Sequence, residues 1–206
     1  MIIDLSDVRD FAIWAHANVL NPDGTLGQKR KYTFEPYIGH PLAVAGIVAT
    51  ATGVTPEMIA AALLHDTMED TRNNPPQTRV TYEMIHSRFG QTVADYVLAL
   101  SDMTTPADGN RDWRKSRERE RLAAAPAQVQ TIKYADLIHN TMSIVTHDHH
   151  FAYPYLGEKR ALLAVADKGD ARLYAWACQL AQDGIDQIEQ ARLNETLRRN
   201  GQVSAA

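Results

Sequence analysis

Residues 61–71 read Ala61-Ala62-Leu63-Leu64-His65-Asp66-Thr67-Met68-Glu69-Asp70-Thr71. The stretch begins as an apolar run that predicts a buried helix, and it ends in one imidazole and three carboxylates. On a helix, His65 and Glu69 lie four residues apart, as do Asp66 and Asp70, so that each pair shares a face. These polar groups are costly at the end of a buried helix unless they bind something, and a divalent metal ion is the simplest partner.

Two other segments supply the remaining residues of such a site. Upstream, His40 precedes Pro41, and because proline suits the first turn of a helix, His40 is expected at or near a helix N-terminus. Downstream, Asp136 lies inside an apolar-periodic helix. Two histidines and two carboxylates from three helices would make an octahedral site that is open to water and substrate. The predicted ligands are His40, His65, Asp66 and Asp136, a set that does not distinguish Mn²⁺ from Fe²⁺, Zn²⁺ or Co²⁺.

The order of these residues resembles the HD phosphohydrolase superfamily. Three segments, 36–41 (PYIGHP), 62–71 (ALLHDTMEDT) and 133–140 (KYADLIHN), resemble more narrowly the hydrolase domain of the Rel/Spo alarmone enzymes. They are most similar to the stand-alone small alarmone hydrolases, and the match spans roughly residues 1–185. The pair Glu69-Asp70 is its most specific part, because generic HD enzymes mostly lack it.

The resemblance implies an all-α, multi-helical HD-domain bundle with Mn²⁺ as its metal ion. It implies hydrolysis of the 3′-pyrophosphate of (p)ppGpp, giving GDP or GTP plus pyrophosphate. Glu69 and Asp70 would position or deprotonate the water, and one of them would protonate the leaving oxygen. Acids are disfavoured at the C-terminal end of a helix, so their presence there favours a functional reason over an acidic surface patch.

Four residues are predicted to contact the nucleotide. Arg30 and Lys31 match an Arg-Lys pair of the family if one residue is inserted after that pair. Asn140 resembles the family asparagine that meets the nucleotide sugar, and Ser143 stands where the family often has threonine. Because Asn140 and Ser143 lie about one helical turn apart, both can face the cleft that holds the metal ion.

The loop after Arg30 leaves two rival functions open. This chain has Tyr32-Thr33-Phe34 where the family usually has Ser-Gly, and either aromatic ring would stack on a base or pack in the core. The change would suit an HD enzyme that acts on another nucleotide, including NADPH. The second rival is a non-catalytic alarmone-binding module, against which the presence of every expected ligand and of both acids argues.

Length and charge bound the class of protein. With 206 residues, the chain is expected to form a single HD hydrolase domain over residues 1–197, followed by a polar, disordered tail over 198–206. The Rel/Spo synthetase and regulatory domains would not fit in this length. A net charge of −4 argues against nucleic acid as a partner and is compatible with a guanine nucleotide.

The location is predicted to be cytoplasmic. Cys178 is the only cysteine, which excludes an intrachain disulfide and favours a reducing compartment. The N-terminus lacks the basic and apolar regions of a signal peptide. The longest apolar stretch, 42–51, is too short to cross a bilayer, so no membrane partner is expected. The sequence leaves the oligomeric state open.

Other segments have ordinary structural interpretations. The charged run 112–121 predicts a helix with a mainly solvated face, although Arg114, Lys115 or Arg117 would suit substrate phosphates. The run 147–150 (HDHH) indicates a polar loop, since consecutive residues do not easily converge on one metal ion. His16 is interpreted as a packed or partly exposed helix residue. Further helices are predicted at 5–20, 41–52, 81–89, 91–101, 153–166 and 170–197.

Overall fold

The protein is described here by a computed structural model over residues 2–199. This part of the chain contains ten helices and, in place of strands, two isolated β-bridges, so the predicted all-α fold is confirmed. The helices are α1 (Leu5–Ala17), α2 (Gly39–Val48), α3 (Pro56–Leu64), α4 (Thr67–Asp70), α5 (Tyr82–Phe89), α6 (Gln91–Leu100), α7 (Arg111–Ala124), α8 (Ala127–His147), α9 (His149–Leu163) and α10 (Ala171–Arg199). Within residues 2–199, no helix has both the length and the apolar character needed to cross a membrane.

Helix α3 lies at the centre of the bundle, as its apolar run predicts. It packs against α1, α2, α6 and α8, and residues 60–64 are all buried. Thr55 caps the helix by accepting a hydrogen bond from the backbone N–H of Met58, and Pro56 occupies the first turn. The end of α3 therefore opens onto a site whose position is fixed by four packed neighbours.

The sequence predicts one continuous helix through residue 70, and this prediction is wrong. Helix α3 ends at Leu64, and the backbone restarts as the short α4 after Asp66. The Nδ1 of His65 lies 2.8 Å from the carbonyl oxygen of Ala62, and the Thr67 hydroxyl donates to the carbonyl of Leu64 at 2.7 Å. These side chains form hydrogen bonds with the last carbonyl groups of α3. Polar side chains compete with helix formation in this way, because they replace the backbone N–H groups as partners. The break sets the direction in which the two acids at the end of α4 leave the backbone.

The connection between α8 and α9 also differs from the prediction. Residues 147–150 do not form a loop, because only Asp148 lies outside the two helices. Its carboxylate caps α9 by accepting from the N–H of Phe151 at 3.0 Å. The sequence placed the start of this helix at Tyr153 next to Pro154, but the Asp cap starts it at His149 and leaves the proline inside.

Helix α7 carries a buried carboxylate as well as the predicted solvated face. Glu118 is 6% exposed and accepts from Lys115 at 2.6 Å, while Lys133 of α8 lies 3.6 Å away. Burial alone would raise the pKa of Glu118, but Lys133, Lys159 and Lys115 together hold that pKa well below its usual range. The Glu118 carboxylate thereby connects α7 to Lys133 of α8. The Lys133 ammonium also contacts Asp136, one of the predicted metal ligands.

The last helix, α10, extends beyond its predicted end at residue 197. Helix α10 runs through Arg199, so Arg198 and Arg199 belong to it rather than to the predicted tail. The rest of that tail, 200–206, lies outside the described residues.

Candidate metal centre and its acids

The four predicted metal ligands meet at one place. One ligand atom each from His40, His65 and Asp136 lies within 4.8 Å of the others, and all three residues are buried. His40 contributes its Nε2 from α2 at 3.2 Å from Asp136 Oδ1 of α8. Asp66, at the α3–α4 break, places Oδ2 3.0 Å from the Nε2 of His65 and 3.6 Å from that of His40. Residues that are far apart in the sequence thus form one cluster of nitrogen and oxygen donors.

This cluster fits a divalent metal ion. The Nε2 atoms of His40 and His65 are buried and lack a hydrogen-bond partner among the described residues. Their other ring nitrogens are engaged, because His65 Nδ1 meets the Ala62 carbonyl and His40 Nδ1 lies 2.8 Å from His139 Nδ1. Metal-binding histidines are commonly oriented in this way, with one ring nitrogen held and the other left for the ion. Imidazole nitrogens together with carboxylate oxygens suit a first-row divalent cation.

The charges around the cluster keep both carboxylates ionised. Burial by itself would raise the pKa of Asp66, but the His65 and His40 imidazoles hold it below its usual range. Burial opposes ionisation of Asp136 as well, and the Lys133 ammonium, 2.9 Å from Asp136 Oδ2, outweighs it and lowers that pKa. Ionised carboxylates are the form that binds a cation.

The two acids of α4 behave in the opposite way. Desolvation and the negative charge of Asp66 raise the pKa of Glu69, and the same causes raise the pKa of Asp70 well above its usual range. One oxygen of Glu69 accepts from the backbone N–H of Asp102 at 2.9 Å, which fixes the carboxylate. The site therefore combines ionised ligands with two acids whose proton affinity is increased, the pairing expected where protons are transferred.

Three of the four predicted nucleotide contacts lie together. Asn140 donates to Asp136 Oδ1 at 2.6 Å and accepts from the guanidinium of Arg30 at 3.1 Å. Arg30 and Ser143 both line a cleft of about 600 Å³ that also includes His40. Lys31 is separate, because its ammonium lies 3.3 Å from Asp148 and its side chain is 69% exposed.

The two aromatic residues of the altered loop have different environments. Tyr32 stacks on the His147 ring at 5.6 Å between centroids and donates to Asp148 at 2.9 Å, so it is held outside the core. Phe34 is 73% exposed and has a φ of 58°, a left-handed conformation that costs a residue with a side chain about 1–2 kcal/mol. A glycine would adopt this left-handed backbone without that cost.

Replacing Phe34 with glycine is expected to stabilise the protein by about 0.5–1 kcal/mol. The relief of the left-handed conformation exceeds the extra chain entropy that glycine loses on folding, and the exposed ring contributes little burial. Urea unfolding measures the change. The matched control is Thr33→Gly, since Thr33 does not have a positive φ, and it should destabilise the fold. Equal losses in both variants would contradict the explanation.

Three residues that lie against the predicted site residues were not predicted from the sequence. Tyr37 donates its hydroxyl hydrogen to Asp66 Oδ2 at 2.7 Å, and His139 meets His40. His16, interpreted as an ordinary helix residue, is buried at 2% exposure and lies 3.7 Å from Asp70 Oδ2. The signal for His139 was available, because it lies three residues after Asp136 on the same helix. Nothing local in the sequence marks His16.

Comparison with protein families gives a match to the HD domain over residues 17–152. Two curated relatives, from Danio rerio and Aquifex aeolicus, are each 34% identical to this chain and are named guanosine-3′,5′-bis(diphosphate) 3′-pyrophosphohydrolase. The first match covers 66% of this chain and 66% of the relative. The second covers 57% of this chain and 16% of the relative, so both relatives extend beyond the shared part.

Two solved structures share the fold. A metazoan ortholog of SpoT, described as hydrolysing ppGpp and as having a role in starvation responses, superimposes with a TM-score of 0.69 at 20% identity. That match covers 98% of this chain and 99% of the other. The protein lmo0812 from Listeria monocytogenes has a TM-score of 0.60 at 24% identity, covering 76% of this chain and 99% of the other.

Proposed function

This chain belongs to the HD domain family, and on that premise we propose that it removes the 3′-pyrophosphate from (p)ppGpp, leaving GDP or GTP. The observation that carries the proposal is that ligand atoms of His40, His65 and Asp136 lie within 4.8 Å of one another. Helix α4, which carries the two acids, begins two residues after His65. The names of the Danio rerio and Aquifex aeolicus relatives support the same reaction. The resemblance of the sequence to the Rel/Spo hydrolase domain is confirmed by these relatives.

The proposed cofactor is one Mn²⁺ ion held by the four predicted ligands. The donor set supports a divalent metal, and the resemblance to the alarmone hydrolases favours manganese within that class. When bound, such an ion polarises a phosphoryl oxygen and lowers the pKa of water. The proposed ligands are His40, His65, Asp66 and Asp136.

The acids of α4 are proposed to move the protons of the reaction. Water forms a bond to the phosphorus attached to ribose O3′, and the bond between that phosphorus and O3′ breaks. Glu69, fixed at one oxygen by the Asp102 N–H, takes a proton from the water with its carboxylate. Asp70, whose pKa is strongly raised, gives a proton to O3′ as it leaves.

The nucleotide is proposed to lie along the cleft beside Asn140. Arg30 and Ser143 line this cleft, and the Arg30–Asn140–Asp136 hydrogen bonds connect it to the metal ligands. Lys31 would join them by exchanging Asp148 for a substrate phosphate. We further propose that residues 1–197 act as a single domain in the cytoplasm.

A hydrolysis assay tests the function. Protein freed of metal by chelation is incubated with ppGpp, NADPH or GTP, with and without Mn²⁺, and products are separated by ion-exchange chromatography. Mn²⁺-dependent formation of GDP and pyrophosphate from ppGpp is the expected result. Release of phosphate from NADPH alone would support the rival phosphatase, and tight ppGpp binding without turnover would support the non-catalytic module.

A further inference from the structure

His139 of α8 lies between the candidate metal centre and the nucleotide cleft. Its Nδ1 is 2.8 Å from the Nδ1 of His40, and the two ring centroids are 4.9 Å apart. The half-buried ring also lines the cleft of about 600 Å³ in which the nucleotide is proposed to lie. Within residues 2–199, the second ring nitrogen of His139, Nε2, makes no hydrogen bond and is not sealed in the core. This nitrogen is therefore open to a ligand in the cleft.

The orientation of His40 fixes the hydrogen positions in both rings. His40 Nε2 faces the carboxylates, 3.2 Å from Asp136 Oδ1, so this nitrogen supplies the lone pair for a cation. A neutral imidazole has one N–H, so the hydrogen of His40 is then on Nδ1, which donates to His139. His139 Nδ1 accepts this hydrogen bond and carries no hydrogen. The one N–H of the His139 ring is therefore at Nε2.

The other groups of the cleft suit an anionic oxygen next to this N–H. Arg30 lines the same cleft, and its guanidinium bonds Asn140, the neighbour of His139 in the chain. Ser143 lies four residues after His139 on α8 and adds a hydroxyl to the same lining. Glu35 also lines the cleft, but it is exposed to solvent, which screens its charge. A cation beside neutral donors favours a phosphate oxygen, because hydrogen bonds to ionised acceptors are the stronger ones.

We propose that His139 binds the nucleotide by donating from Nε2 to a phosphate oxygen, while its Nδ1 holds the metal ligand His40 in place. One ring thereby links the metal site to nucleotide binding, because the hydrogen bond from His40 determines which nitrogen of His139 is the donor. The nucleotide part of this inference rests on the proposed function, whereas the contact with His40 does not. His139 is a binding and positioning residue in this account and transfers no proton.

The variants His139→Asn and His139→Phe separate the two contacts. The side-chain oxygen of asparagine is bonded to Cγ, as Nδ1 of histidine is, so it still offers His40 an acceptor, but nothing replaces the Nε2 donor. Phenylalanine keeps the shape of a ring and loses both contacts. If His139→Phe does not fold, His139→Leu takes its place.

The contact with His40 is measured as the affinity of the metal-free proteins for Mn²⁺, followed by the electron paramagnetic resonance signal of the free ion. His139→Phe should bind Mn²⁺ roughly 10- to 100-fold more weakly, the usual effect of losing the outer partner of a metal-binding histidine. His139→Asn should stay within about threefold of the parent protein. An unchanged affinity in His139→Phe, or equal losses in both variants, would overturn this half of the inference.

The contact with the nucleotide is measured by the kinetics of ppGpp hydrolysis at saturating Mn²⁺. In His139→Asn we expect KM to rise roughly 10- to 100-fold, the effect of losing a hydrogen bond to a charged group, with kcat within about threefold. His86→Asn is the matched control, since this exposed histidine stacks on Tyr82 of α5 and should change neither constant. An unchanged KM in His139→Asn would overturn the nucleotide contact.

The position of the hydrogen can be measured without substrate, which separates this inference from the proposed function. Zn²⁺ suits the same donor set and is diamagnetic, so protein with ¹⁵N-labelled histidine can be loaded with it for NMR. Couplings between ring nitrogens and carbon-bound hydrogens should place the His139 hydrogen on Nε2, and the His139→Asn spectrum identifies the signals. A hydrogen on Nδ1 would overturn the inference even if ppGpp is hydrolysed. A hydrogen on Nε2 without ppGpp turnover would contradict only the function, and the expected rise would then be sought in the Kd of GDP.

Discussion

Replacing Asp136 with asparagine should abolish binding of the divalent metal and lower kcat/KM by more than roughly 100-fold, the upper end of the range for partners outside the first coordination shell. Asp136 places one oxygen among the histidine nitrogens and the other 2.9 Å from Lys133. Asparagine has nearly the same shape and still accepts from Asn140, but it lacks the negative charge that holds a cation. The loss should therefore arise at the site and not from unfolding.

Two measurements check this expectation together. Metal content after dialysis against Mn²⁺ reports binding, and ppGpp hydrolysis reports kcat/KM. Asp170→Asn is the matched control, since Asp170 caps α10 by accepting from Leu173 at 2.9 Å and also accepts from Thr52 at 2.8 Å. Because asparagine caps a helix about as well as aspartate, that variant should change the stability little and keep its metal. A full metal content in Asp136→Asn would remove Asp136 from the ligand set.

The position of the candidate metal centre was predictable because its determinants are local. The apolar run 60–64 predicts a buried helix that carries His65 directly after its buried face, and Asp136 lies on the buried face of a periodic helix. Each predicted ligand can thus be recognised within its own segment. The resemblance to HD enzymes adds only the expectation that these segments lie together in the fold. The meeting itself depends on packing of α3 against α2 and α8, which no single segment encodes.

The errors have a common physical cause in hydrogen bonds made by side chains. The sequence predicts a helix that continues through residue 70, but the side chains of His65 and Thr67 bond the last carbonyls of α3 and end it. His16 Nδ1 lies 3.7 Å from Asp70 Oδ2 although the two residues are far apart in the sequence, so neither spacing nor composition signals their approach. Contacts of this kind arise only after the helices have packed.

Replacing either acid of α4 is expected to lower the activity strongly while leaving metal binding unchanged. Glu69→Gln and Asp70→Asn are each expected to lower kcat by roughly 10²–10⁴-fold, the usual contribution of a general acid or base. Neither variant should lower the Mn²⁺ content, because neither acid is among the four proposed ligands. The measurements are single-turnover hydrolysis of ppGpp and metal analysis of the same samples.

Comparing kcat with metal content in the same variants shows whether these acids bind the metal ion or transfer protons. If Glu69 and Asp70 hold the ion, kcat and metal content should fall together, and excess Mn²⁺ should restore activity. If they transfer protons, excess Mn²⁺ restores nothing, and the double variant should lose less than the product of the single losses because both acids serve one reaction step. Asp95→Asn is the control, since this exposed acid accepts from Tyr82 of α5 and lies outside the proposed site, so its replacement should leave kcat unchanged. Rescue of Glu69→Gln by Mn²⁺ would move that acid into the metal site and leave the base unidentified.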